Sequence, residues 1–383
     1  MSVWSTLKGS RAAEALAAQI ASGEVAHAWL LLGPAGSGKR PAAQAVAAAL
    51  NCTVAPGTGC GECSVCLRIA RRRFPDVHHI VPEGPLIPVD TIREQVIPEA
   101  TRSTFEGRYK VFIIEEAEKM NDPAQNSLLK TLEEPQPETI FILISSRPEE
   151  LLDTIRSRCR VFRLEPVDEQ TIVGLLQTEG ASTEEALLAA RVSEGDLERA
   201  RLLAFDADAG ERRRGWLSLP RRLTSSIDAL DAAAEVIATA KETTKTLEAH
   251  QKEEIVELAE AMGEGRGTAG ARNALMKRHK RESRRAEEQV LAEALLTLGS
   301  FLRDVLAVRR GGDEGVSNLD VLDDLKRWAE SSASDADLLA AIERCVWARG
   351  SLLKNANVPL TLESALVEVA RLVPTQSVVG AEA

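Results

Sequence analysis

The heptapeptide Gly33-Pro34-Ala35-Gly36-Ser37-Gly38-Lys39 matches the pattern G-x-x-x-x-G-K. Glycines let backbone amides close around an anion, and a lysine opening a helix adds a cation, so this spacing suits a phosphate-binding loop. Nucleotide hydrolysis further needs magnesium, held by a Ser or Thr directly after the lysine and by an acid ending a later strand. Arg40 follows the lysine here, and the apolar Val111-Phe112-Ile113-Ile114 runs into Glu115-Glu116 where Asp-Glu is the usual pair. Arginine offers no lone pair to a metal, and Glu, one methylene longer than Asp, misplaces its carboxylate in a site that demands near-ideal octahedral geometry. The expectation is a degenerate site: Gly33, Gly36, Gly38, Lys39 and Arg40 form the phosphate loop and Glu115 and Glu116 the acidic motif, with ATP or ADP bound without hydrolysis. A glycine turn with no ligand is the alternative.

Cys52, Cys60, Cys63 and Cys66 form C-x7-C-x2-C-x2-C. The two tight intervals let sulfurs converge on tetrahedral zinc, and four thiolates leave no open position, so the expected metal is structural. Such a module would staple an insertion between the phosphate-loop helix and the next strand. Cys159 and Cys345 stand alone and read as small buried hydrophobes. A third cluster is Arg156-Ser157-Arg158-Cys159-Arg160. Three arginines on so short a segment are expensive to pair internally, so at least one is expected to reach a negatively charged partner, a solvated basic turn being the alternative.

The elements that must hold these residues follow from periodicity. Residues 28–32 read as a buried strand before the glycine loop and 41–50 as an alanine-rich helix after it. Further strands are expected at 109–114 and 139–145, with shorter pieces at 77–81 and 161–164 and a helix at 148–155. Alternating β and α elements imply a parallel sheet covered by helices. Residues 1–165 would form this sheet domain and 166–207 a lid of three short helices punctuated by Gly180 and Gly195, with 206–214 read as a polar linker. Residues 208–375 carry helical leucine and alanine spacing, and 376–383 lack periodicity and are expected to be disordered.

The fold class is therefore α/β plus all-α. With 383 residues, 44% hydrophobic and 3% aromatic, the chain can build two or three helix-rich cores. A net charge of -11 repels DNA from an average surface, so contact with nucleic acid must be local or shared. No stretch approaches eighteen uninterrupted apolar residues and no signal segment opens the chain, so the expectation is a cytoplasmic protein without membrane contact.

Together these residues resemble the AAA+ clamp-loader family of bacterial DNA polymerase III, and within it the delta-prime subunits. The likeness is carried by His27-Ala28-Trp29-Leu30-Leu31-Leu32-Gly33-Pro34, by the cysteine module, by Asn126-Ser127-Leu128-Leu129-Lys130-Thr131-Leu132-Glu133-Glu134-Pro135, by Ser157-Arg158-Cys159 and by Asn355-Ala356-Asn357-Val358-Pro359-Leu360. The resemblance implies an AAA+ sheet domain with a zinc insertion, a helical lid and a C-terminal helical collar that oligomerises. It implies a DNA-replication role as one member of a five-subunit ring that loads the beta sliding clamp onto primer-template DNA, with gamma or tau motor subunits and delta as partners. It also makes Arg158 an arginine finger, catalytic in trans toward the gamma phosphate held by the adjacent motor.

Two other readings stay open. Motor subunits of the same loader share the cysteine and leucine-lysine segments, but would show Gly-Lys-Thr or Gly-Lys-Ser and Asp-Glu. The family's lid arginine is also displaced: Gly195-Asp196-Leu197 is followed by Glu198, with Arg199 one place on. A zinc-containing nucleic-acid-binding module is the third reading, and the net charge counts against it. For DNA, Lys130 is a candidate; the run Lys277-Arg278-His279-Lys280-Arg281 with Arg284 and Arg285 reads as a solvated face or subunit contact.

Overall fold

A computed structural model describes residues 2–82, 84, 86–262, 266–331, 333–352 and 356–374. Contacts divide the chain into residues 1–206 and 207–383.

The first unit runs α1 (Arg11–Ala21), β1 (Ala28–Leu32), α2 (Lys39–Asn51), α3 (Ser64–Ala70), β2 (Val77–Ile80), α4 (Val89–Thr91), α5 (Ile97–Ala100), β3 (Lys110–Ile114), α6 (Asp122–Glu133), β4 (Thr139–Ser145), α7 (Asp153–Arg156) and β5 (Arg160–Arg163). All pairings are parallel and the strand order is β2-β3-β4-β1-β5. Every residue of β1, β3 and β4 is buried, as expected of central parallel strands covered on both faces. Alternate side chains feed two cores. Trp29, Leu31, Val111 and Ile113 pack toward α1, α2 and α3; Leu30, Leu32, Phe112 and Ile114 pack toward the α4 to α7 side. The alanines of α2 are buried, so the helix that carries the phosphate loop lies close against the sheet. This is the parallel sheet covered by helices that the alternating pattern predicted.

Three helices, α8 (Glu169–Glu179), α9 (Thr183–Ser193) and α10 (Leu197–Phe205), complete the unit around a small core of Ile172, Leu176, Ala189, Leu197 and Ala200. Gly180 ends α8 at φ +109°, and Gly195, at φ +89°, lies just before α10.

The second unit is helical: α11 (Ala207–Leu217), α12 (Leu219–Arg222), α13 (Ser226–Met262), α14 (Arg266–Arg309), α15 (Leu322–Ala329), α16 (Asp335–Leu352) and α17 (Val358–Leu372). Its core runs from Trp216 through Leu298, Phe301, Trp328 and Leu338 to Leu366.

Two expectations are corrected. Residues 207–214 lie in helix α11 rather than a linker, Asp206 capping α10: Arg213 is buried and donates to Asp320 Oδ2 at 2.6 Å and Asn318 Oδ1 at 2.7 Å, so the polar run is anchored to the helical core. The helix expected at 148–155 breaks into a 3-10 turn at Pro148–Glu150 and the short α7, because Leu151, extended at ψ 137°, turns its side chain into the core. Residues 375–383 lie outside the described residues, as do 263–265 of the glycine-rich interruption and Asn355.

Candidate functional site

The phosphate loop joins the end of β1 to the start of α2. Its geometry depends on glycine at Gly33, where a Cβ would stand 2.2 Å from the Leu164 carbonyl oxygen, and at Gly36, which adopts φ +79°. Lys39 opens α2 and is buried. Its Nζ donates to the Gly33 carbonyl at 2.6 Å and to the Pro34 carbonyl, folding the lysine back over its own loop. Burial, together with Arg40 beside it, pulls the Lys39 ammonium down to about 8, while Glu118 and Asp196 act in the opposite direction.

Arg40 and Glu115 meet across this junction. Arg40 Nε donates to Glu115 Oε2 at 2.7 Å, and Arg72 Nη2 donates to Oε1 at 2.9 Å. The Glu115 carboxylate is 2% exposed, and His79 Nδ1 lies 3.9 Å from Oε1. Glu116 departs from β3 in the left-handed region at φ 50° and pairs with Lys119 at 2.6 Å. The acidic motif is thus occupied by internal cations.

Two acids beside the loop escaped the sequence reading. Glu118 is buried; its Oε1 accepts the Ser146 N–H at 3.3 Å, whereas Oε2 has no hydrogen-bond partner among the described residues. Asp196 caps α10 through the Arg199 N–H at 3.0 Å, and a Cβ on Gly36 would stand 2.3 Å from its Oδ2. Only the charge pattern three residues after the acidic motif could have pointed to Glu118. Nothing local placed Asp196 against a loop 160 residues away in sequence. Arg199 donates to the Val192 carbonyl.

The four cysteines converge. Cys52 ends α2, Cys60 lies in a loop turned by Gly57, Gly59 and Gly61, Cys63 caps α3 and Cys66 lies in its first turn. Their sulfurs all lie within 4.8 Å of one another, with Cys52 to Cys60 at 3.6 Å and Cys52 to Cys63 at 3.9 Å. Tetrahedral zinc with bonds of about 2.3 Å separates its sulfurs by about 3.8 Å, so this donor set fits. Backbone N–H groups of Ala55, Cys63 and Cys66 donate to Cys52, Cys60 and Cys63 sulfurs at 3.2 to 3.4 Å, an outer shell suited to thiolates.

In the arginine turn, Cys159 and Ile155 are buried and Arg158 lies between α7 and β5, with its side chain 34% exposed. Arg158 Nη1 donates to the Thr154 carbonyl at 2.9 Å and its other terminal nitrogen pairs with Glu133. Arg156 pairs with Asp153, and Arg160 lies over the Phe162 ring at 5.9 Å. Acids from α6 and from the start of α7 thus reach two of the three arginines, and no acid is paired with Arg160 among the described residues. Cys159 and Cys345 are buried thiols, each pushed up to about 12 by burial. Lys130 is exposed on α6. In α14, Arg278 and His279 pair with Glu254 at 2.7 and 2.8 Å, which makes that part of the basic run a contact between α13 and α14.

Residues 8–168 match the family model described as DNA polymerase III, delta subunit. The delta-prime subunit of Pseudomonas aeruginosa is 46% identical over 137 residues, 35% of this chain and 42% of the relative. That of Bacillus subtilis is 34% identical over 190 residues, 50% of this chain and 57% of the relative. The Bacillus subtilis tau subunit is 38% identical over 189 residues, 49% of this chain and 31% of the relative. The chain spans about half the length of the curated delta-prime relatives it matches. Identity alone does not separate the delta-prime from the tau branch, so the site must do so. Among the described residues no helix is long and apolar enough to cross a membrane.

Proposed function

Because this chain is related over its first half to the delta-prime subunits of the DNA polymerase III clamp loader, we propose that it is the non-motor, stator member of such a loader. The observation that carries this reading is the Arg40 to Glu115 ion pair, 2.7 Å, which stands where a motor holds magnesium between loop and strand. Without that ion the transferring phosphoryl charge has no metal to neutralise it, and hydrolysis in cis fails. Chemistry then moves across the subunit boundary. Arg158, on a turn at the end of the sheet, acts as an arginine finger toward the gamma phosphate of a neighbouring gamma or tau subunit, where its planar cation offsets charge in the transition state.

The remaining parts have supporting roles. Cys52, Cys60, Cys63 and Cys66 would hold a structural zinc that ties α2 to α3, supplying rigidity rather than a reactive water. Residues 166–207 form the lid and 208–375 the collar through which the ring assembles, delta, the beta clamp and primer-template DNA being reached through the assembly in the cytoplasm. ATP or ADP resides in the Lys39 loop without turnover.

Reconstituting the loader with Arg158→Ala tests this. Assembly should survive, while turnover at the shared site falls on the order of 10³-fold. Unchanged turnover would remove Arg158 from the reaction. Motor-like ATPase in the isolated chain, abolished by Lys39→Ala, would favour the motor reading instead.

A further inference from the structure

The residues around the Lys39 loop do not fit the divalent cation that phosphate loops of this family use. On α2, the position that should offer a hydroxyl is Arg40, which has donors only. At the end of β3, both oxygens of the Glu115 carboxylate are engaged, Oε2 by Arg40 Nε at 2.7 Å and Oε1 by Arg72 Nη2 at 2.9 Å. That carboxylate is almost entirely buried, so metal and water cannot reach it without displacing a guanidinium group. Magnesium keeps several waters and demands near-ideal octahedral geometry, and a divalent charge would sit beside Arg40, Arg72 and Lys39. At the Glu115 carboxylate both geometry and charge exclude it.

The guanidinium of Arg40 is itself a cation at the junction of loop and strand. It is about half exposed, and Glu115 engages only its Nε among five N–H donors. Among the described residues its terminal N–H groups have no hydrogen-bond partner, so they can meet phosphate oxygens while Nε stays on Glu115, and planar guanidinium suits that recognition better than an ammonium.

We infer that Arg40 stands in place of the divalent ion, so that a nucleoside di- or triphosphate entering this loop binds without metal. The inference rests on the nucleotide part of the reading above and deepens it. Phosphate would replace the Gly33 and Pro34 carbonyls as the partner of Lys39, while Arg40 supplies the charge that magnesium supplies in a motor. The Arg40 to Glu115 pair would also couple loop to strand whether or not nucleotide is present, which suits a subunit that does not cycle.

The test is titration of the full-length chain with fluorescent mant-ADP and mant-ATP, once in excess EDTA and once in excess magnesium. Expected is saturable binding whose Kd agrees within about twofold between the two conditions. Tightening by about tenfold or more in magnesium would overturn the inference, placing a metal on Glu118 or on a released Glu115. Absence of binding in both would overturn it too, and would withdraw the resident nucleotide, while leaving the trans role of Arg158 to its own ATPase test. Freeing Glu115 with Arg40→Thr and Arg72→Ala should introduce magnesium dependence, whereas Arg40→Lys should remain indifferent. A freed Glu115 that stayed indifferent would show that these arginines are not what excludes the metal. Far-UV circular dichroism and melting curves on each variant separate misfolding from altered binding.

Discussion

Arg158 and Glu133 form an ion pair that joins the turn before β5 to the C-terminal end of α6. Both side chains are partly exposed, so the pair is reversible: contacts of this kind contribute about 0.2–1 kcal/mol. An arginine held so weakly can exchange this partner for a stronger anion, as the proposed finger role requires.

Glu133→Gln removes the competing charge and keeps the shape. In a reconstituted loader, turnover at the shared site should rise by up to about fivefold when partner occupancy is limiting. Steady-state ATPase against subunit concentration measures this. A fall would instead make Glu133 the group that aims Arg158.

If the four cysteines hold the proposed zinc, Cys63→Ser should lower zinc content below one ion per chain and destabilise the insertion by ~3 kcal/mol or more, since metal binding and folding of such a site are one free energy. Metal analysis with thermal melting reports both. Retention of full zinc and melting temperature would show that Cys63 is not a ligand. Lys39→Ala should leave zinc content unchanged, because the loop lysine lies at the opposite end of α2 from Cys52.

For the proposed nucleotide site, Lys39 predicts a pH-dependent affinity. Its free-state ammonium titrates at about 8, lowered first by burial and then by Arg40. Phosphate binds the protonated form, so affinity should be flat below about pH 8 and fall above it, with a proton taken up on binding there. The sign follows from linkage: a ligand that needs the proton raises the lysine pKa. Isothermal titration calorimetry in buffers of different ionisation heat counts the proton. An affinity unchanged from pH 7 to 9.5 would show that Lys39 does not contact phosphate.

Lys110 begins β3 almost wholly buried and donates to Glu99 Oε1 at 2.8 Å and to the Glu99 carbonyl at 3.0 Å. The lysine holds the Glu99 carboxyl below its ordinary range. A depressed carboxylate contributes stability that is present above its unfolded value and is lost as pH falls through the lower folded one. Acid unfolding of the wild type should therefore include this loss at the low end of the carboxylate range, and Lys110→Met should flatten it. Lys110→Ala should cost ~2–3 kcal/mol at neutral pH, because it also opens a cavity and leaves Glu99 without its buried partner.

The sequence by itself determined the local chemistry. G-x-x-x-x-G-K between an apolar strand and an alanine-rich helix, and C-x7-C-x2-C-x2-C, specify backbone shape and ligand convergence within a few residues, so spacing suffices to read them. The central strands were equally legible, because residues buried on both faces leave continuous apolar runs. What spans the fold was not legible. Arg40 meets Glu115 across 75 positions, Asp196 closes on Gly36 across 160, and Arg158 finds Glu133 although composition argued that its turn had too many cations. The run at 206–214 looked like a linker until Arg213 found Asp320 and Asn318. Each of these depends on which side chains the packed elements bring within about 3 Å, a distance set by helix placement on the sheet or within the bundle and carrying no periodic signal along the chain. Tertiary structure alone therefore decided that the Glu115 end of the acidic motif is filled from within by arginine.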